Sequence, residues 1–81
     1  MTVYVDDSFI PFGRMLMSHM MATDIDELHA MADKIGLNRK WFQDKRIPHY
    51  DVSKSLREKA INAGAKPISW RDMPIDIIRK Q

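Results

Sequence analysis

The stretch MLMSHMMA, Met15 to Ala22, holds four of the chain's seven methionines (Met15, Met17, Met20 and Met21), and the fold turns on what it becomes. Unbranched thioether side chains fill irregular gaps, so its composition suits a short helix or an apolar loop laid over the core. A methionine patch for a partner is the functional counterpart of that reading. SFIPFGR, residues 8–14, precedes it and reads as a loop, punctuated by Pro11 and Gly13. Before that, TVYV (residues 2–5) is a β-branched and aromatic run, the mark of a short strand buried on both faces.

Downstream, TDIDELHAMADKIGL (residues 23–37) carries the clearest helical pattern. Thr23 can cap it, Asp24, Asp26 and Glu27 suit its positive first turn, and Ile25, Leu28, Ala32 and Ile35 recur at helical spacing. Gly36 stands where a left-handed terminator is wanted, with Leu37 placed to fold back. NRKWFQDKR (38–46) is a basic connector with room for one helical turn. VSKSLREKAINAGA (52–65) predicts a second helix, capped by Asp51 or Ser53, with Leu56, Ala60 and Ala63 inward and Gly64 as its stop. KPISW (66–70) predicts a second strand with Pro67 at its start. RDMPIDIIRKQ (71–81) predicts a third helix with Pro74 in its first turn and Ile75 and Ile78 on one face. The expected fold is therefore a small single α/β domain over residues 1–81, in the order β-α-α-β-α. A short parallel sheet of two or three strands carries three helices, with right-handed crossovers. Its open edges suit a homo-oligomer.

At 81 residues and 44% hydrophobic composition the chain has enough apolar material for one small core. The absence of cysteine excludes disulfides, thiolate metal sites and cysteine nucleophiles, and a reducing cytoplasm is the expected compartment. MTVYVDD lacks the basic start and apolar run of a secretory leader, and no apolar run reaches the ~18 residues of a membrane span. The net charge of +2 hides an imbalance. Residues 1–33 hold six acids against Arg14, whereas residues 34–81 hold twelve bases against five acids. That is either ordinary solvated charge or an acidic site beside a surface suited to phosphate-bearing partners.

In a parallel α/β sheet, ligands bind beyond the carboxyl ends of the strands. Asp6 and Asp7 end the first strand, Ser69 and Trp70 end the second, and His49, Tyr50 and Asp51 lead into the second helix. If that loop returns to the same end, Asp6 or Asp7, His49 and Asp51 share one pocket. The alternatives are plain: Asp51 as a helix cap, His49 filling a gap beside a carboxylate, and Tyr50 as a core ring. His49 with one acid suffices for a general base. His19, His29 and His49 with Asp6, Asp7 or Asp51 supply a mixed set for a divalent metal, although no His-x-x-x-His spacing announces it. Arg14 can hold an anion or pair with Asp6 or Asp7. Arg39, Lys40, Lys45 and Arg46 interleave with Trp41 and Phe42, which fits either nucleic-acid contact or core packing by the aromatic pair. Phosphate-binding glycine loops, nucleophile elbows and zinc-finger spacings are all missing.

VYVDD at the start, the GR and SH that follow, ELHAMADKIGL, WF and HYDVS together resemble the small bacterial and phage family known as domain of unknown function 4031. Its signatures, a YVD and an HYD, correspond here to Tyr4-Val5-Asp6 and His49-Tyr50-Asp51. The resemblance spans essentially the whole chain, and the methionine run is where this sequence departs. It implies a stand-alone protein in which Asp6, His49, Tyr50 and Asp51 belong together, with Arg14, Ser18, His19 and His29 also matching. The family brings no established activity.

The leading expectation is a cytoplasmic α/β protein with a polar pocket for a small anionic ligand or nucleotide. Asp6, His49 and Asp51 would carry any chemistry, with Asp7, Arg14, His19, His29 and Tyr50 around the ligand. Hydrolysis of a nucleotide or phosphoester, by acid–base or metal-assisted chemistry, is the reaction class to try first. The rival is a non-catalytic module that binds nucleic acid or a host protein through Arg39, Lys40, Trp41, Lys45 and Arg46.

Overall fold

The structure, a computed structural model, describes residues 2–80. Five strands form one mixed sheet: β1 (Val3–Val5), β2 (Ile10–Phe12), β3 (Met15–Ala22), β4 (Tyr50–Ser53) and β5 (Lys66–Pro67). Two helices, α1 (Ile25–Ile35) and α2 (Lys54–Asn62), complete it with a 3-10 turn at Arg39–Trp41. The α/β class and the parallel pairing of the first and last strands agree with the sequence. The strand count and the three-helix layout do not.

The methionine run is the central strand, not a helix or a loop. Gly13, at φ +61°, and Arg14 make a two-residue turn joining β2 to β3, with Phe12 opposite Met15. Glycine at the first position of such a turn gives the twist that antiparallel strands need. SFIPFGR is thus half of a hairpin. Pro11 is tolerated because the closing pair of the turn is the hydrogen-bonded one. One residue back, the ring nitrogen then faces the free edge and removes a donor from it.

β3 pairs with β2 and then β1 along one side, and with β4 along the other. β1 and β2 behave as one strand broken by a bulge. Residues 6–9 stand opposite only Ser18 and His19, and Phe9 takes a left-handed φ of 44°. Bulges of this kind bend a strand and re-aim its side chains. On one face Val3, Val5, Met20, Ala22, Tyr50 and Val52 meet the inner sides of α1 and α2. On the other, Tyr4 and Met21 meet Ile77.

The helices start and stop on side-chain chemistry. Asp24, not Thr23, caps α1 by accepting from Glu27 N–H; Gly36 ends it at φ 84°, and Leu37 N–H donates back to Ala32 O. Ser53, not Asp51, caps α2. The helix expected over residues 71–81 does not form in the described residues, and Gln81 lies outside them. Pro74 leaves too few residues behind it for a stable helix, and the sheet offers their backbone better partners. Ile78 N–H donates to Ala22 O, Tyr4 donates to Asp76, and Ile77 rather than Ile75 is buried. The tail therefore closes the second face of the sheet as irregular chain with turns. No helix among the described residues is long and apolar enough to cross a membrane.

A strand at residues 15–22 makes truncation costs position-dependent. Met20→Ala, at a fully buried position, should lose about 3 kcal/mol, whereas Met15→Ala, at the exposed end, should stay within about 0.5 kcal/mol. Urea unfolding of the two variants checks this; equal effects would mean that the segment is not the central strand.

Candidate functional site

Strand register assembles the site. β3 pairs His19 with Asp51, and Asp6 N–H donates to His19 O at 3.0 Å, so Asp6, His19 and Asp51 form one row across three chain segments. Side chains alternate along a strand, which puts His49 on the same face as Asp51 and sends Tyr50 through to the helix side. HYD is thus split by its own pleat. Fully buried Tyr50 shares a 2.7 Å hydrogen bond with His29 of α1, and Phe42 packs against both rings. Burial pushes the Tyr50 phenol up, keeping it protonated. His29 and Tyr50, expected around a ligand, instead belong to the packed face on the far side of the sheet.

Asp6 is 2% exposed. Its Oδ1 accepts from Ser8 N–H (3.2 Å), the Ser8 hydroxyl (2.8 Å) and His19 N–H (2.9 Å), and its Oδ2 accepts from His19 Nδ1–H at 2.8 Å. Burial works to raise this carboxyl, but the bonds from His19 and Ser8 outweigh it and hold it down at about 2. The same contact raises His19 above the ordinary imidazole value; burial opposes the rise, and the charges of Asp6 and Asp51 add to it. Asp6 thus fixes His19 from beneath and has no carboxylate face turned to the open side. Arg57, absent from the sequence reading, ties down the bulge by donating from Nε to Asp6 O at 2.8 Å while its guanidinium lies over Phe9.

His49 is oriented as firmly. Its Nδ1 lies 2.8 Å from Ile47 O, which can only accept, so Nδ1 carries a proton and Nε2 is the atom that holds the lone pair in the neutral ring. The Nε2 atoms of His49 and His19 face the same oxygen, Asp51 Oδ1, at 3.6 and 3.9 Å. One ligating atom from each of the three residues lies within 4.8 Å of the others. Asp51 Oδ2 accepts from Gln43 Nε2 at 2.6 Å, and Gln43 also exchanges backbone hydrogen bonds with His49. Gln43 and Ser8 were missed because each acts on a ligand-like residue across a turn or a bulge that the sequence does not advertise.

The remaining candidates disperse. Asp7 accepts from Trp70 N–H at 2.8 Å and pins the chain after β5. Arg14 sits in the exposed hairpin turn, roughly 16 Å along β3 from His19 at the usual rise per residue. Arg39 pairs with Asp33 and holds its carboxyl below the usual range. Lys40 and Trp41 line a cavity that reaches Asp51, and Lys45 and Arg46 line another that reaches His19 and His49. The basic connector therefore contributes cations next to the site, in place of Arg14.

The buried Asp6–His19 contact makes stability pH-dependent. Asp6 lies below its unfolded value of 3.8, so its contribution of about 2 kcal/mol is present above about pH 4 and is lost as pH falls through about 2. The His19 contribution is complete below 6.5 and is lost as pH rises through its higher folded value. The gap in unfolding free energy between wild type and Asp6→Asn should therefore narrow from about pH 4.5 to pH 2, measured by urea titration. A gap independent of pH would remove the ionised contact.

Comparison with known proteins matches residues 3–80 to the family described as "Protein of unknown function (DUF4031)", and the chain belongs to that family. No curated protein and no solved structure matches it.

Proposed function

We propose that this member of a family without assigned activity is a divalent-metal protein that binds, and hydrolyses, a phosphate ester at His19, His49 and Asp51. One observation carries the reading: two imidazoles turn Nε2 toward one carboxylate oxygen while their Nδ1 atoms are held from behind, His19 by Asp6 and His49 by the Ile47 carbonyl. Metal-ligating histidines need that second hydrogen bond to fix tautomer and ring orientation. Ligand bonds of about 2.1 Å in a tetrahedral site put donor atoms about 3.4 Å apart. Asp51 Oδ1 lies 3.6 and 3.9 Å from the two Nε2 atoms, and one donor from each residue falls within 4.8 Å of the others. Three protein ligands also leave a position for water, the arrangement of catalytic rather than structural sites.

A bound ion would supply Lewis acidity and a water acidic enough to ionise near neutral pH. Asp6 is a positioning residue: it keeps His19 in one tautomer and one orientation. Gln43 does the same for Asp51. Lys45 and Arg46, on the cavity that reaches both histidines, are placed to hold phosphate oxygens. The anion-binding role expected of Arg14 passes to them, and the catalytic role expected of Asp6 becomes support of His19.

Isothermal titration with Zn²⁺ and Mn²⁺, followed by release of nitrophenol from bis(p-nitrophenyl) phosphate, tests this. His49→Ala and Asp51→Asn should abolish metal binding and turnover, and Asp6→Asn should weaken metal affinity about 10- to 100-fold. Wild-type protein that binds neither ion, or His49→Ala that binds as well as wild type, would overturn the reading.

A further inference from the structure

Four cavities meet at the His19–His49–Asp51 cluster, and their walls differ in chemistry; one, lined by Ile10, Phe12 and Met17 with His19 and Asp51, is otherwise apolar. The one on the β1 side is lined by Asp6, Ser8, His19 and Trp70. The one on the β4 side, about 600 Å³, is lined by Asp51, Phe12, Met17 and Trp41. Toward Met21 and Met73, Lys45 and Arg46 line the cavity that contains His19 and His49. β1 and β4 pair with opposite sides of β3, so the two tryptophans lie on opposite flanks of the cluster.

Both indoles and Phe12 stand largely in solvent: Trp41 is 58% exposed, Trp70 53% and Phe12 74%. A chain with so small a core gains by burying rings of this size, and exposed aromatics grouped around a polar centre mark a binding surface. Among the described residues no carboxylate lies within ion-pair distance of Lys45 or Arg46. Arg71 lies over the Trp70 ring, adding a cation to that flank. Aromatic platforms with cations nearby suit a polymer that alternates flat rings with phosphates. Trp70 follows β5, outside β1, and Trp41 precedes Gln43, which pairs with His49 outside β4. Four strand spacings, roughly 19 Å, therefore separate the chain segments that carry them, too far for one base to meet both but within the span of a short oligonucleotide. A protein strand added at the β2 edge would meet the missing donor of Pro11 and leave the cations unused.

We propose that the substrate is single-stranded nucleic acid laid across β3. One base stacks on Trp41 and Phe12, another further along the strand stacks on Trp70, and a phosphodiester of the intervening stretch lies over His19, His49 and Asp51, with Lys45 and Arg46 beside it. This rests on the metal-centre reading and names its substrate class. Cleavage joins the oxygen of water to phosphorus and breaks one P–O ester bond. One fragment keeps a phosphate monoester, and the leaving oxygen of the other takes a proton from that water.

Fluorescence anisotropy with Zn²⁺-loaded protein and labelled oligothymidylate of about eight nucleotides tests the proposal. An abasic oligomer of equal length should bind about tenfold more weakly. Trp41→Ala and Trp70→Ala should each cost about tenfold with Zn²⁺ affinity unchanged, and Trp41→Phe should recover most of the loss. Lys45→Ala with Arg46→Ala should flatten the slope of log affinity against log salt by about 1 to 2. Equal binding of the abasic oligomer, equal binding of a duplex, or tighter binding of thymidine monophosphate than of the oligomer would overturn the proposal. So would indifference to both tryptophan substitutions. Oligomer binding that follows these expectations in wild-type protein that takes up no Zn²⁺ would sink the metal centre and the cleavage step while leaving strand recognition standing.

Discussion

Asp6 is a carboxylate withdrawn from water and surrounded by donors from a single bulge and the strand opposite it. Removing such a charge from solvent is costly unless nearly every lone pair finds a partner, and here Ser8 and His19 supply them through both backbone and side chain. The contact closes the bulge between β1 and β2 and aims His19. Everything on that face of the sheet follows from it, because the row from Asp6 through His19 to Asp51 exists only in this register. A slip of one residue would turn His19 toward the helices and put Met20 in its place.

The two faces of the sheet divide the work. The helix side is ordinary packing: Val5, Met20 and Val52 under Leu28, Ala32 and Ala60, with the Tyr50–His29 hydrogen bond satisfying the two polar groups it encloses. The tail side is thinner. Ile77 and the backbone bond from Ile78 to Ala22 cover Tyr4 and Met21, and that cover stops short of His19, His49 and Asp51. Irregular chain can cover one end of a face and leave the other open, whereas a helix laid along it would cover more. Met73 of the C-terminal segment lines the cavities that reach His19, so the segment shapes the approach to the cluster.

Particular residues show how much was legible. The α1 boundaries were readable because Gly36 and Leu37 form a terminator whose chemistry is local. The strand at Val3–Val5 and its parallel partner after α2 were readable from short β-branched runs separated by helical spacing. Two further signals were present and point to the observed strands. Phe12-Gly13-Arg14-Met15 has a two-residue turn with glycine first, and Tyr50-Asp51-Val52-Ser53 alternates apolar with polar. The methionine run offered no such guide. Methionine favours helices when judged alone, and residues 20–22, buried on both faces of the sheet, lose the alternation that betrays a strand.

By itself the sequence determined the α/β class, the glycine stop of α1 at Gly36, the exclusion of cysteine chemistry, and the presence of histidines and aspartates available for a site. These follow from composition and from interactions between residues a few positions apart. The tertiary structure alone decided which of them meet. It joined His19 to Asp6 and Asp51, parted Tyr50 from the residues on either side of it, and exchanged Arg14 for Lys45 and Arg46. The reason is physical: strand register and the direction of each side chain are set by long-range pairing and by burial of the two faces, and neither is written in any short stretch of the chain.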